Sequence, residues 1–133
     1  MKKQAEEWLR YAYIDLLTIK EIITNENLTS AVAFHTQQCI EKSFKAIIEL
    51  YNKKVPRIHD LRKLWKVIEE NRTIGAVEIN MDLLDQVNQV YIDTRYPADY
   101  GLLPDGTPSS EKAHEFMTLA EEIYDCAERT VNT

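Results

Sequence analysis

The sequence is poor in residues that interrupt regular structure, and it lacks any long apolar run. Its 133 residues include only 3 glycines and 4 prolines, a composition that suits long helices better than strands joined by tight turns. No stretch approaches the roughly 18 consecutive apolar residues of a membrane span, and the N-terminus carries no signal-peptide core. We therefore expect a globular protein with no membrane segment.

Cysteine and histidine are scarce and widely spaced. Cys39 and Cys126 form no CxxC or Cys/His ligand pattern, which excludes a recognisable zinc site and a disulfide framework. His35, His59 and His114 stand far apart, and the sequence contains no phosphate-binding glycine loop, HExxH motif or nucleophile elbow. We expect reduced thiols in a cytoplasmic protein, with no metal and no cofactor.

The sequence also has fewer basic than acidic residues, 16 Lys and Arg against 22 Asp and Glu. The formal net charge of −6 argues against a general electrostatic grip on nucleic acid, which requires a basic surface. Any anionic ligand would therefore have to bind at a local patch of cationic side chains.

What the sequence does contain is helical periodicity. Apolar residues recur at helical spacing over five segments: 3–24, 30–52, a short stretch after Asp60, 82–94, and a segment that begins between 107 and 110. Thr29 or Ser30 is placed to cap the second helix, and Asp60 to cap the third. The pattern predicts a single all-α domain over residues 1–133, an up-and-down antiparallel bundle of four long helices and one short helix.

The first helix has a wider apolar arc than one packing partner requires. Beyond its core positions, it adds a second set of large apolar residues: Tyr11, Tyr13, Ile14, Leu17 and Ile22. A subunit interface accounts for this width, and so does a broad core face.

A polar stripe lies beside the core face of the second helix and comprises Gln38, Glu41, Lys42 and Lys45. Glu41 and Lys45 have the i,i+4 spacing of an ion pair, which contributes only about 0.2–0.5 kcal/mol on an exposed helix. Two interpretations remain open from spacing alone. The stripe is a solvated face, or it meets another helix, a second subunit or an anionic ligand.

The fourth predicted helix ends in the segment Arg95-Tyr96-Pro97-Ala98-Asp99-Tyr100. A guanidinium at a helix end, with Tyr96 and Tyr100 nearby, has the groups to hold a phosphate and stack a base. Alternatively, the segment only stops the helix, with Arg95 paired to Asp93 or Asp99 and interacting with the helix dipole.

Four groups of residues, in this order, make the chain resemble the HEPN domain family. They are Trp8 with Ala12 and Asp15-Leu16, Gln38-x-x-Glu41-Lys42-x-x-Lys45, His59-Asp60-Leu61-x-x-Leu64, and Tyr91-x-x-x-Arg95-Tyr96-Pro97. The resemblance covers nearly the whole chain. It implies a five-helix, commonly homodimeric, typically prokaryotic domain, often paired with a small nucleotidyltransferase in modules that resemble toxin–antitoxin systems. The family is linked to nucleotide binding, and its active branch to metal-independent RNA cleavage.

This sequence departs from the nuclease members of that family at one position. Those members carry a histidine four to six residues after the arginine, whereas Tyr100, Gly101 and Leu102 occupy the corresponding offsets from Arg95. Tyrosine is a poor proton acceptor at neutral pH. The prediction is a nucleotide-binding and interaction module without catalysis of its own, and the alternative is an endoribonuclease that uses Arg95 with Tyr100 or His59. The predicted binding residues are Arg95, Tyr96, Tyr100, Gln38, Glu41 and Lys45.

Overall fold

The computed structural model describes residues 2–51, 54–71, 78–95 and 107–133, with side chains up to residue 90 in the third range. These residues form five α-helices: α1 (Lys2–Ile22), α2 (Thr29–Glu49), α3 (Leu61–Asn71), α4 (Met81–Arg95) and α5 (Ser110–Val131). Within the described ranges no residue is in a β-strand. The predicted all-α class and the pattern of four longer helices and one short helix are confirmed.

The helix ends agree with the capping pattern of the sequence at α3 and differ from it at α2. Asp60 caps α3, because its carboxylate accepts hydrogen bonds from the backbone amides of Arg62 and Lys63 at 2.9 and 3.3 Å. The predicted cap of α2 was wrong. Thr29 is already in the helical conformation, and Leu28 precedes it as an N-cap that makes no side-chain hydrogen bond.

The reason for the error is a turn of 3-10 helix, Glu26–Leu28, immediately before α2. Asn25 caps this turn through its side-chain oxygen, 2.9 Å from the backbone nitrogen of Asn27. The chain therefore enters a helical path before it reaches Thr29, and the capping function moves upstream.

The core is arranged around α2, which packs against each of the other four α-helices. Trp8 contacts Glu49 and Asp15 contacts Lys42. Since later residues of α1 meet earlier residues of α2, the two helices are antiparallel. Fully buried large apolar side chains from all five helices fill the interior: Ile19, Ile40, Phe44, Ile47, Ile48, Leu61, Leu64, Ile68, Leu84, Phe116 and Leu119.

The outer face of α1 remains uncovered. Ile22 packs against the core, whereas Tyr11, Tyr13, Ile14 and Leu17 are between 43% and 48% exposed. A broad core face therefore does not explain the wide apolar arc of this helix. Among the described residues, no helix combines the length and the apolar character that a membrane span requires.

Candidate functional site

The polar stripe of α2 is not a solvated face. Glu41 and Lys45 are each only 5% exposed, and Gln38 and Lys42 are partly buried. Two charged side chains with so little access to water lose most of their hydration, and they are retained only where paired. The charged side chains of the stripe are therefore expected to have partners within the chain.

Glu41 is the centre of a cluster made of Gln37, Glu41, Lys45 and His59, hereafter the Glu41 cluster. Its carboxylate accepts a hydrogen bond from the ammonium of Lys45 at 2.9 Å and from the side-chain amide of Gln37 at 3.1 Å. Nδ1 of His59 lies 3.0 and 3.1 Å from the two carboxylate oxygens. Both oxygens are thus satisfied, as a buried carboxylate requires.

Gln37 fixes the position of the histidine as well as that of the acid. It is fully buried, and its amide nitrogen also donates to the backbone oxygen of His59 at 3.0 Å. Its own carbonyl oxygen accepts a hydrogen bond from Gln38 at 2.6 Å. Both donors of the Gln37 amide are therefore used, and the segment that carries His59 is held against α2 from two directions.

Helix α1 closes one side of the Glu41 cluster through Trp8. The indole nitrogen of Trp8 donates to Glu49 at 3.0 Å, and the ammonium of Lys45 lies 5.4 Å from the Trp8 ring centroid. A lysine at this distance from an indole ring gains a cation–π interaction. Lys45 is consequently held between a carboxylate and an aromatic ring.

Helix α4 is tied to the other side of the cluster. The side-chain amide of Asn88 donates to Asp60 at 3.2 Å, and its oxygen accepts from the backbone nitrogen of Leu61 at 3.1 Å. Asp60 directly follows His59, so the residue that caps α3 also links the histidine to α4. The turn that carries His59 before α3 also contacts α2, which the sequence pattern did not indicate.

A second buried carboxylate lies on the α1 side of the stripe. Asp15 accepts from Lys42 at 2.7 Å and lies 2.9 Å from Nδ1 of His35. His114, in contrast, is exposed on α5, with Nδ1 2.9 Å from the backbone oxygen of Ser110. His35 and His114 therefore each have a hydrogen-bonding partner within the chain.

The predicted phosphate-binding segment is described only in part. Arg95 is the last residue of α4, which agrees with the predicted helix stop. Its side chain, like Tyr96 and Tyr100, lies outside the described residues. Arg95 follows Asn88 by seven residues, about two helical turns, so the two positions share a face of α4. The helix that Asn88 fastens to the His59 segment is therefore the one that ends at Arg95.

Neither the two cysteines nor the possible metal-ligating side chains form a reactive or metal-binding site in the described part of the chain. Both cysteines are unpaired and buried, and burial raises the pKa of the Cys39 thiol to about 12, so that thiol is inert at neutral pH. Within the described part of the chain, no three His, Cys, Asp or Glu side chains are grouped to hold a metal.

A groove of about 850 Å³ lies between α3 and the start of α4. Its charged lining is evenly mixed between acids and bases: Asp60, Glu69, Glu78, Arg62, Lys63 and Lys66. This balance gives no preference for an anionic ligand.

Sequence reasoning missed Gln37, Glu49, Asn88 and the partners of Asp15. Gln37 had a usable signal, since it lies four residues before Glu41 and so faces it across one helical turn. Asn88 and Glu49 gave none, because their partners are 28 and 41 residues away in the sequence. Such contacts depend on how helices pack and not on spacing within one helix.

The comparisons with known proteins identify the fold family. The sequence family model for the HEPN domain matches residues 5–130, which is nearly the whole chain. No curated protein and no solved structure gives a significant match. The residues that carried the resemblance, from Trp8 through Glu41 to His59, are brought together around α2. The chain belongs to the HEPN domain family.

Proposed function

We propose that this protein is a nucleotide- or RNA-binding module without strong catalysis of its own. In this proposal it acts as a homodimer in the cytoplasm of a prokaryotic cell, with a small nucleotidyltransferase as partner in a toxin–antitoxin-like system. Membership of the HEPN family supports interaction with nucleotides or RNA in general terms. The observation that carries the specific proposal is the Glu41 cluster, a fixed polar arrangement connected through Asp60 and Asn88 to the helix that ends at Arg95.

The burial of the cluster divides its members into two roles. Glu41 and Lys45 have side chains only 7% exposed and are bonded to each other, which favours a supporting role over direct contact with a ligand. The side chain of His59 is 50% exposed, and Gln38 is partly buried at the edge of the cluster. We assign ligand contact to Gln38 and His59, and the positioning of His59 to Glu41 and Lys45.

The lysines of α2 are paired with carboxylates, so the positive charge that a phosphate requires has to come from elsewhere. Lys45 is paired with Glu41, and Lys42 with Asp15. Each of these ammonium groups is therefore already neutralised by a buried carboxylate, and the stripe offers little positive charge to a phosphate. We infer that Arg95 supplies it, since guanidinium binds phosphate in a bidentate manner, while Tyr96 and Tyr100 provide surfaces for stacking.

Calorimetric titration with nucleotides and short RNA tests this assignment. We expect Arg95→Ala to abolish binding, and Arg95→Lys to weaken it because lysine keeps the charge but loses the fork. Arg129→Ala is the matched control, since Arg129 is an exposed arginine in the last turn of α5, and it should bind like the parent protein. Unchanged binding by Arg95→Ala would return the segment to the role of a helix stop.

A second candidate function is metal-independent RNA cleavage that uses Arg95 with Tyr100 or His59. One observation favours it: a carboxylate oriented toward Nδ1 of a histidine is also the arrangement that prepares a histidine for proton transfer. Against it stands the absence of a histidine four to six residues after Arg95. An assay of RNA integrity separates the two functions.

The homodimer in this proposal is supported by the exposed face of α1. Four large apolar or aromatic side chains are grouped there, and contiguous apolar surface of this kind marks interaction sites on small proteins. Tyr13 also contacts Tyr124 of α5, with ring centroids 5.6 Å apart. The face therefore extends from α1 toward α5, and we assign it to the subunit interface.

A further inference from the structure

A second groove, of about 510 Å³, lies between the start of α4 and the middle of α5, and we call it the α4–α5 groove. It shares no residue with the Glu41 cluster. Its floor is apolar, because Leu83 and Leu119 are buried there and Ile79 is partly buried. Leu83 lies near the end of α4 opposite to Arg95, so this groove is separate from the proposed nucleotide site.

All three charged residues that line the α4–α5 groove are acidic: Glu78, Glu115 and Glu122. Each of them is exposed. Glu115 lies 3.5 Å from Lys112 in a surface pair, whereas Glu78 and Glu122 form no ion pair within residues 2–51, 54–71, 78–95 and 107–133. A cleft bordered by one sign of charge concentrates its electric field and attracts ligands of the opposite sign. The groove therefore suits a ligand that combines apolar groups with positive charge.

The walls of the groove restrict how a peptide segment is recognised. The part of the chain that the structure describes contains no β-strand, so no sheet edge is present there for a peptide strand to pair with. The lining contains no aromatic side chain to hold a proline-rich segment, and its carboxylates repel phosphorylated or acidic motifs. Insertion of an amphipathic helix is the remaining common mode, and it relies on side chains alone.

We propose that the α4–α5 groove binds an amphipathic helix of a partner protein, with apolar residues over Leu83 and Leu119 and with Lys or Arg on its flanks. The acidic row on α5 indicates the length of this helix. Glu111, Glu115 and Glu122 share one exposed face of α5 because they are separated by one and by about two helical turns. The row spans about 16 Å, which corresponds to about three turns of a partner helix.

Fluorescence anisotropy with labelled synthetic peptides tests this proposal. The probe is a helix-forming peptide of about 15 residues with leucines at i, i+3, i+4 and i+7 and lysines on both sides of that stripe. A second peptide has the same composition in an order that destroys the stripe, and a third has glutamate in place of each lysine. We expect saturable binding of the probe and at least about tenfold weaker binding of the other two peptides.

Substitutions in the protein test the same contacts from the other side. Glu78→Gln combined with Glu122→Gln removes two carboxylates at nearly constant size, and we expect roughly two- to tenfold weaker binding of the probe. Thr118→Arg places a positive charge at an exposed position of the groove and should abolish binding. Glu128→Gln is the matched control, since Glu128 is an exposed carboxylate on another face of α5, and it should bind like the parent protein.

Amide chemical shifts measured by NMR locate the bound probe. We expect the changes to centre on Ile79, Leu83 and Leu119, with none at Ile14 on the exposed face of α1. Changes centred on α1, or equal binding of the reordered peptide, would overturn the inference. The same holds for an equal loss of affinity in Glu128→Gln and in the double variant, and for the absence of saturable binding of the probe. Because the inference does not rest on nucleotide binding, each of these results leaves the proposed function standing.

Discussion

Glu41 has three hydrogen-bonding partners although it lies on a helix face that periodicity alone would allow to be exposed. The side chains of Gln37, Lys45 and His59 all contact its carboxylate, and His59 reaches it from a separate segment of the chain. The effect of a substitution on stability therefore depends on whether the ion pair is exposed or buried. An exposed ion pair contributes little, whereas removing one member of a buried pair leaves a charge without either water or a partner.

We predict that Glu41→Ala lowers the free energy of unfolding by more than about 2 kcal/mol, because Lys45 would remain buried without its carboxylate. Chemical denaturation monitored by circular dichroism measures this loss. Glu7→Ala provides the control, since Glu7 pairs with Arg10 on an exposed part of α1, and its denaturation midpoint should be close to that of the parent. A Glu41→Ala midpoint equal to that of the parent would show that the pair contributes nothing to stability.

Sequence alone could place Glu41 and Lys45 next to each other but could not reveal their burial. The i,i+4 spacing defines the pair, and the same spacing occurs in exposed helices. Burial depends on Trp8 and His59, which come from α1 and from the segment before α3. The family resemblance included Glu41, Lys45 and His59 among its motif residues, while Gln37 and the contact between His59 and Glu41 required the packed structure.

The helices themselves were largely predictable because their apolar residues follow a strict period. In α3, the apolar residues that recur at helical spacing after Asp60, namely Leu61, Leu64, Trp65 and Ile68, are all buried, and the cap at Asp60 is present. Periodicity fails where two local structures compete. The start of α2 was misplaced because a 3-10 turn precedes it, and a capping residue is recognised only from its backbone conformation.

The exposed apolar face of helix α1 leads us to predict a homodimer. Its uncovered face should hold two copies of the chain together, because each copy would otherwise expose Tyr11, Ile14 and Leu17 to water. Sedimentation velocity across the micromolar range should show a species of twice the 15.5 kDa chain mass. Ile14→Glu should shift the protein toward the monomer, since it places a charge in the apolar face.

The matched control for this experiment is Thr118→Glu, which adds the same charge at an exposed position of α5 and should leave the sedimentation profile unchanged. A species of 15.5 kDa at every concentration of the parent protein would contradict the dimer. Equal dissociation by both substitutions would indicate that net charge, and not the α1 face, controls assembly.

The molecule as a whole combines an acidic net charge with a cluster whose lysines are already paired. Such a protein cannot hold RNA along an extended basic surface. In the proposed function binding is therefore local, and we expect it to depend on the guanidinium of Arg95. We also expect the protein to bind RNA without cleaving it, because no histidine for proton transfer stands four to six residues after Arg95.

The most direct test of the binding module is incubation of end-labelled RNA with the purified protein, analysed on parallel native and denaturing gels. We expect the RNA to be retarded on the native gel and to remain full length on the denaturing gel. We also expect Arg95→Ala, purified in the same way, to lose the retardation. Extensive cleavage of the RNA by the parent protein, absent with Arg95→Ala, would contradict the binding module and establish the endoribonuclease in its place.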